Sequence, residues 1–347
     1  MPLMQPDRLI DLVGRIFVAA GAPPDAAQTV AASLVASDLV GHESHGVVRV
    51  RQYLDAIRRG DLDPTARPQI VHSDKGVLTV DAQRGFGQVA ARYTIEQGIA
   101  RARAHGLAAA GLIHCGHVGR LGEWVQLAAE QEAIALAFCN GGGVRGIVTP
   151  YGGAARLLGT NPIAAAIPVA GRAPIVLDFA TSAVAEGKVR VARNRGKSIP
   201  QGWVLDSQGR PSTDPNALYA GGMLLPAATH KGYALSLLVE FLGGILTGNG
   251  CPALGNVRPG NGVLFLVLDV AAFRPLAEYM ADGAALAETV KAVPPAPGFD
   301  EVLLPGEPEQ RMQSARRAEG ILVDDATWAL LAEDAAQLQI DWPQPEP

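Results

Sequence analysis

Apolar side chains recur at helical spacing through Leu9, Ile10, Leu12, Val13, Ile16 and Phe17 and stop at Gly21, which predicts a first helix over residues 7–20. Pro23-Pro24 opens a second helix that runs through Ala36. A third pattern starts near His45, where Val48, Tyr53, Leu54 and Ile57 are apolar or aromatic and Gly60 ends the run. Asp63-Pro64 and Pro68 close this helical layer, and the period then changes. Residues 69–81 hold two β-rich runs around Asp74-Lys75-Gly76, the pattern of a hairpin. Helix over 88–104, strand over 107–115, helix over 121–130 and strand over 134–139 follow, with further strands over 162–169 and 174–179. Alternation of this kind predicts an α/β fold. Residues 233–246 are almost wholly apolar, which predicts a buried helix holding His230 and Lys231 near the interior. A strand over 263–270, a helix over 274–290, a tight loop at 304–308 and a last helix over 325–338 complete the chain.

Composition narrows the picture. The 347 residues carry a net charge of −5 with dispersed basic side chains, which argues against a nucleic-acid partner. Residues 190–197 form the one notable basic cluster and read as a solvated loop that could also meet a phosphate. The Gly-, Pro- and Asp-rich stretch 193–226 reads as an ordered excursion, because its turn signals and Trp203 suggest packing. Residues 343–347 read as a disordered tail. Cys115, Cys139 and Cys251 are odd in number and show no zinc-ligand spacing, so no metal is expected. They fit a reducing compartment. No stretch has the pattern of a signal peptide or a membrane span, and the expectation is a cytoplasmic protein.

Chemistry concentrates in Ser44-His45-Gly46 and the residues after it. On one continuous helix His45, Arg49 and Tyr53 would stand at i, i+4 and i+8 and share a face. That face would combine an acid/base near neutrality, a guanidinium fork for a carboxylate and a phenol. A second candidate is weaker. Gly141-Gly142-Gly143-Val144-Arg145-Gly146 matches GxGxxG after a strand, but no helix pattern follows and Ala165-Ala166 stand where an acidic residue is required. A Rossmann site is therefore rejected. His42, His72 and His105 lack supporting neighbours and read as structural, and Cys115 reads as core rather than as a nucleophile partner of His117.

Read together, Asp38–Arg49 with Tyr53, Gly116-His117-Val118-Gly119-Arg120, Tyr151-Gly152-Gly153, Gly159-Thr160-Asn161-Pro162, Asp178-Phe179-Ala180-Thr181-Ser182, Gly187-Lys188, His230-Lys231-Gly232-Tyr233 and Pro305-Gly306-Glu307 resemble the type-2 malate/L-lactate dehydrogenase family. That family includes ureidoglycolate and sulfolactate dehydrogenases, a diketogulonate reductase and a Δ1-piperideine-2-carboxylate reductase. The resemblance implies a homodimeric oxidoreductase that binds NAD or NADP on a non-Rossmann mixed-sheet domain and acts on a small carboxylic acid. It implies a helical substrate and catalytic domain from 1–68, completed by 310–342, and a cofactor-binding and dimerisation domain from 69–309. By position, His45 would be the proton donor/acceptor with Ser44 as its relay and His117 as a second catalytic histidine. Arg49, with Tyr53 and His117, would bind substrate. Gly119, Arg120, Leu121, Thr160, Asn161, Asp178, Phe179, Ala180, Thr181, His230, Lys231, Pro305, Gly306 and Glu307 would line the cofactor, and Asp178 could also orient a histidine.

Three functions follow as expectations. The first is a 2-hydroxyacid dehydrogenase of the malate, lactate or sulfolactate type. The second is an NADPH-dependent reductase of cyclic imino acids working at the same site. The third is a non-catalytic ligand-binding homologue, against which Ser44, His45, Arg49, His117 and Lys231 argue.

Overall fold

The computed structural model describes residues 1–141, 146–257 and 260–342. Helices α1 (Pro6–Ala19), α2 (Pro24–Leu39) and α3 (Val50–Arg58) form the N-terminal layer. Leu9, Val13, Ile16, Phe17 and Leu34 of this layer share one apolar core with Ile321, Val323 and Leu331 from the far end of the chain. The short strand Leu3–Met4 pairs with Ile321–Leu322, and an ion pair of 2.7 Å joins Arg51 of α3 to the buried Asp334 carboxylate.

The centre of the molecule is a seven-stranded mixed sheet. Its strands are β1 (Gln69–Asp74), β2 (Val77–Asp81), β3 (Leu107–Cys115), β4 (Ala133–Asn140), β5 (Ile163–Ile167), β6 (Ile175–Phe179) and β7 (Asn261–Asp269). They lie in the order β1-β2-β3-β7-β4-β5-β6, and only β2 and β3 are parallel neighbours. The late strand β7 is apolar through Val263–Leu268 and lies between β3 and β4, where both of its backbone edges are hydrogen-bonded. Ala110, Leu112, Phe265 and Val267 share a core with Ile95 and Ile99 of α4 (Gly87–His105) and Trp124 of α5 (Leu121–Ala129).

The expected excursion is ordered. It begins at the end of the helix α6 (Glu186–Asn194) and contains a small antiparallel sheet of Val204–Leu205, Pro211–Ser212 and Met223–Leu224. Val189, Ile199, Val204 and Leu224 pack with Val148 and Leu158 in a separate core. The basic cluster therefore starts on a helix rather than in a loop. Its apolar partner is Val189, fully buried one position before Arg190.

Two further expectations change. The helix α7 (His230–Val239) continues as a wider π-turn over Glu240–Leu246, and it is not buried all round. Gly243 and Gly244 press on β4 and β7, whereas Leu238, Phe241 and Leu246 are exposed, as are His230 and Lys231. Uniform apolarity cannot separate a core face from an outward apolar face. The tight loop at 304–308 leads directly into α9 (Glu307–Glu319), after α8 (Leu276–Lys291) and before α10 (Asp325–Gln337). Asp324 caps α10 by accepting from Thr327 N at 2.9 Å. Gly142–Arg145 of the rejected GxGxxG run and the tail 343–347 lie outside the described residues. Among the described residues, no helix is long and apolar enough to cross a membrane.

Candidate active site

The segment between α2 and α3 is not the continuous helix that its spacing suggests. Glu43–His45 and Val47–Arg49 are two short 3₁₀ turns separated at Gly46, and regular helix begins only at Val50. The cause is Asp38. Its Oδ2 accepts from Val47 N at 2.9 Å, and a Cβ on Gly46 would stand 1.8 Å from Oδ1. The carboxyl group thus pulls the chain into a kink that a residue larger than glycine cannot enter. His45, Arg49 and Tyr53 still converge, but through this kink rather than along one helical face.

Ser44 Oγ lies 3.0 Å from His45 Nδ1. The His45 ring stacks against His117 with centroids 5.4 Å apart and planes inclined by 23°. His117 comes from the loop after β3, which Trp124 Nε1 and Asn261 Oδ1 anchor at Val118. Its Nδ1 is 2.8 Å from the Tyr53 hydroxyl, which also accepts from Gln88 Nε2 at 2.8 Å. With Gln88 donating, the Tyr53 O–H can donate to Nδ1, an arrangement in which a neutral His117 would carry its proton on Nε2. Gln88, fully buried on α4, is a functional neighbour that the sequence pattern alone did not single out.

Electrostatics keeps both imidazoles neutral. Burial pushes His45 down to about 3, with the Arg49 charge as the next cause. Burial, then Arg49 and His45, hold His117 well below its ordinary range. Burial raises Tyr53 to about 12. Arg49 donates from Nε to Ser44 O and from Nη1 to Gln52 Oε1, each at 2.6 Å. Among the described residues no carboxylate forms an ion pair with it, and Glu186 supplies the one carboxylate field that reaches it.

Beyond this pocket lies a cleft of about 470 Å³. Arg120, Asp178, Phe179, Pro305 and Gly306, all expected at the cofactor, line this cleft together with His42. The loop 116–120 thus presents His117 to the pocket and Arg120 to the cleft. Asp178 Oδ2 accepts from Gly122 N at 2.7 Å at the start of α5, and burial raises its pKa. Arg120 is buried, and its Nε has no partner.

The remaining expected cofactor residues are not cleft-lining. Asn161 is fully buried and donates to Ser236 Oγ at 3.0 Å and Glu240 Oε1 at 2.8 Å. Thr181 is buried and donates to Thr160 O through both its backbone N and its hydroxyl. Gly119 and Leu121 are buried on either side of Arg120, and Ala180 is half-buried beyond Phe179. Glu307 turns inward to Lys291 Nζ at 2.7 Å and Leu304 N at 3.0 Å, closing its own loop. His230 meets Tyr151 edge to face at the exposed start of α7.

Comparison with known proteins identifies the family and the fold. The model of the malate/L-lactate dehydrogenase family matches residues 4–332. The hydroxycarboxylate dehydrogenase B of Escherichia coli O157:H7 is 33% identical over 338 residues, covering 95% of this chain and 92% of that protein. The fold superposes on the sulfolactate dehydrogenase of Methanocaldococcus jannaschii with a TM-score of 0.90 at 30% identity, covering 98% of each chain. It also superposes on the Δ1-piperideine-2-carboxylate reductase of Pseudomonas syringae pvar. tomato, with a TM-score of 0.86 at 33% identity over 96% of this chain and 100% of that one. Motifs, topology and site geometry thus lead to one conclusion: the chain belongs to the malate/L-lactate dehydrogenase family.

Proposed function

We propose that this protein transfers a hydride between NAD or NADP and C2 of a small 2-hydroxy or 2-oxo acid. The observation that carries the reading is Arg49, a half-buried guanidinium beside two neutral imidazoles, without a carboxylate ion partner among the described residues. A cation so placed accepts the carboxylate of a substrate.

The nicotinamide supplies the hydride acceptor or donor when bound. The cleft fits such a group. It offers the exposed ring of Phe179, the unpartnered Nε of Arg120 and the backbone of Pro305-Gly306. Asp178 would hold the cleft wall to α5. This is a mode of holding the cofactor distinct from a Rossmann fingerprint, in keeping with a sheet that has one parallel pair.

In the oxidative direction His45 accepts the C2 hydroxyl proton while Ser44 steadies Nδ1. His117, fixed by Tyr53, stacks behind it as the second acid/base group. The substrate carboxylate offsets the Arg49 field, one cause of the depressed His45 pKa, and so makes His45 a better base as substrate arrives. The exposed apolar face of α7 and its π-turn supports a homodimer, and three buried free thiols are compatible with a cytoplasmic setting. The helical unit of 1–68 with 310–342 would carry the substrate groups, and 69–309 the cofactor and the dimer contact.

A second reading, reduction of a cyclic imino acid, draws on the likeness to the Δ1-piperideine-2-carboxylate reductase. The test is oxidation of NADH and NADPH against a panel of 2-oxo acids and cyclic imines, with His45→Ala alongside. Turnover that His45→Ala lowers by about 10²- to 10⁴-fold is expected for a proton-transfer residue. Silence of the folded wild-type protein across the panel would defeat the reading.

A further inference from the structure

Arg49 is not the only guanidinium beside Ser44. Helix α6 begins against that serine. A Cβ built on Gly187 would lie 2.8 Å from Ser44 Cβ, 3.7 Å from Ser44 Oγ and 4.0 Å from Arg190 Nη2. The first turn of α6 therefore sits on the residue that precedes His45, and Arg190, three positions along on the same face, has its Nη2 within 4.0 Å of that built Cβ. From the other side, Arg49 Nε donates to the Ser44 carbonyl at 2.6 Å. Arg190 thus stands close enough to the Ser44 end of the pocket for its charge to act on Arg49.

Neither has a neutralising partner. Among the described residues Arg190 makes no hydrogen bond and no ion pair, although it is half-buried. Glu186 is the carboxylate nearest in sequence, and it accepts from the Tyr219 hydroxyl at 2.5 Å. Arg193 covers the Tyr219 ring at 3.9 Å and adds a third positive charge to the same helix. Arg120, which lines the neighbouring cleft, adds a charge that reaches His45. One engaged carboxylate among several guanidinium groups leaves a surplus of positive charge on the α6 side of the pocket. A monocarboxylate held by Arg49 would leave that surplus in place. A substrate with a second anionic end would remove it.

Building on the dehydrogenase reading, we propose that Arg190 binds a second carboxylate at the end of the substrate remote from C1. The preferred substrates are then four-carbon 2-hydroxy and 2-oxo diacids rather than lactate-like monoacids. Arg190 acts on specificity and not on the proton transfer, which stays with the histidines.

The test compares kcat/KM for oxaloacetate and for pyruvate in the full-length wild-type protein, Arg190→Gln and Arg190→Lys. Gln keeps much of the side-chain stem and removes the charge, so its effect separates charge from packing. The wild type is expected to favour oxaloacetate. In Arg190→Gln the oxaloacetate-to-pyruvate ratio should fall by about 10- to 100-fold, the range for loss of a charge-assisted contact, with the change mainly in KM for oxaloacetate. Arg190→Lys should recover part of that ratio. An unchanged ratio, an equal loss on both substrates, or a wild type that favours pyruvate would overturn the Arg190 assignment and leave the dehydrogenase reading intact. A wild type inactive on every 2-oxo acid would instead strike the dehydrogenase reading, and the assignment with it.

Discussion

Around Ser44, His45 and His117 the side chains are linked to one another: Ser44 to His45, Tyr53 to His117, Gln88 to Tyr53 and Arg49 back to the Ser44 carbonyl. Along the neighbouring cleft the links are sparse. Phe179 is 45% exposed, Arg120 Nε has no partner, and His42 and Glu309 span the mouth at a long 3.4 Å. The difference teaches where this protein holds its precision. For the proposed proton transfer, distances of a few tenths of an ångström matter, and the linked side chains of the pocket fix such distances. The sparser cleft suits the proposed cofactor, a larger ligand whose many contacts would each matter less.

Arg49→Lys should produce the larger effect. A lysine ammonium cannot hold the Ser44 carbonyl and also grip a carboxylate with two parallel bonds. KM for the acid is expected to rise about 10- to 100-fold in steady-state assays, with kcat falling less, as for loss of a charge-assisted pair. An unchanged KM would remove Arg49 from the site and erase the contrast. On the cleft side, Phe179→Ala deletes an exposed ring from a wall that keeps its other contacts. KM for the nicotinamide cofactor should rise by only about 3- to 10-fold, as for loss of partial apolar burial of roughly 1 kcal/mol. A loss beyond 100-fold would show the cleft to be as exacting as the pocket.

The two regions also differed in how far the sequence revealed them. Candidates for side-chain chemistry stood out: Ser44, His45, Arg49 and Tyr53 do meet, as their types and spacing suggested, and His117, which only the family resemblance brought into the site, meets them. Their route was hidden, because the kink at Gly46 depends on a tertiary contact from Asp38 and not on local spacing. Gln88 was also hidden, and Arg190 was visible only as part of a basic cluster. Each lies on a helix whose approach to the pocket is set by packing, Gln88 on α4 and Arg190 on α6. The strand and helix alternation was legible from β1 to β6, and so was the existence of β7. Its place between β3 and β4 was not, since strand order is decided by long-range pairing. The outward apolar face of α7 misled for a similar reason: hydropathy records what a face prefers to touch, not whether this chain covers it.

Asp38 allows the smallest and most discriminating test, because it supports the pocket without facing the ligand. Burial raises its pKa to about 8, against the model-peptide range near 4, while Val47 N hydrogen-bonds to Oδ2. The sign follows from linkage. Below the unfolded-state pKa the carboxyl is protonated in both states and its folded-state contribution is intact. As pH rises toward 8 the unfolded chain releases the proton and the folded chain retains it, so stability is lost by at most about 1.4 kcal/mol per pH unit and levels off above that value. Asn at this position keeps an oxygen for Val47 N and has no such proton to lose. Asp38→Asn should therefore gain on the wild type in Tm as pH is raised from 4 to 8, with a constant difference above 8, and change kcat/KM less than about threefold. A Tm difference independent of pH would show that Asp38 is ionised in the folded protein. The kink that shapes the pocket would then rest on a buried charge rather than on a neutral hydrogen-bonding group.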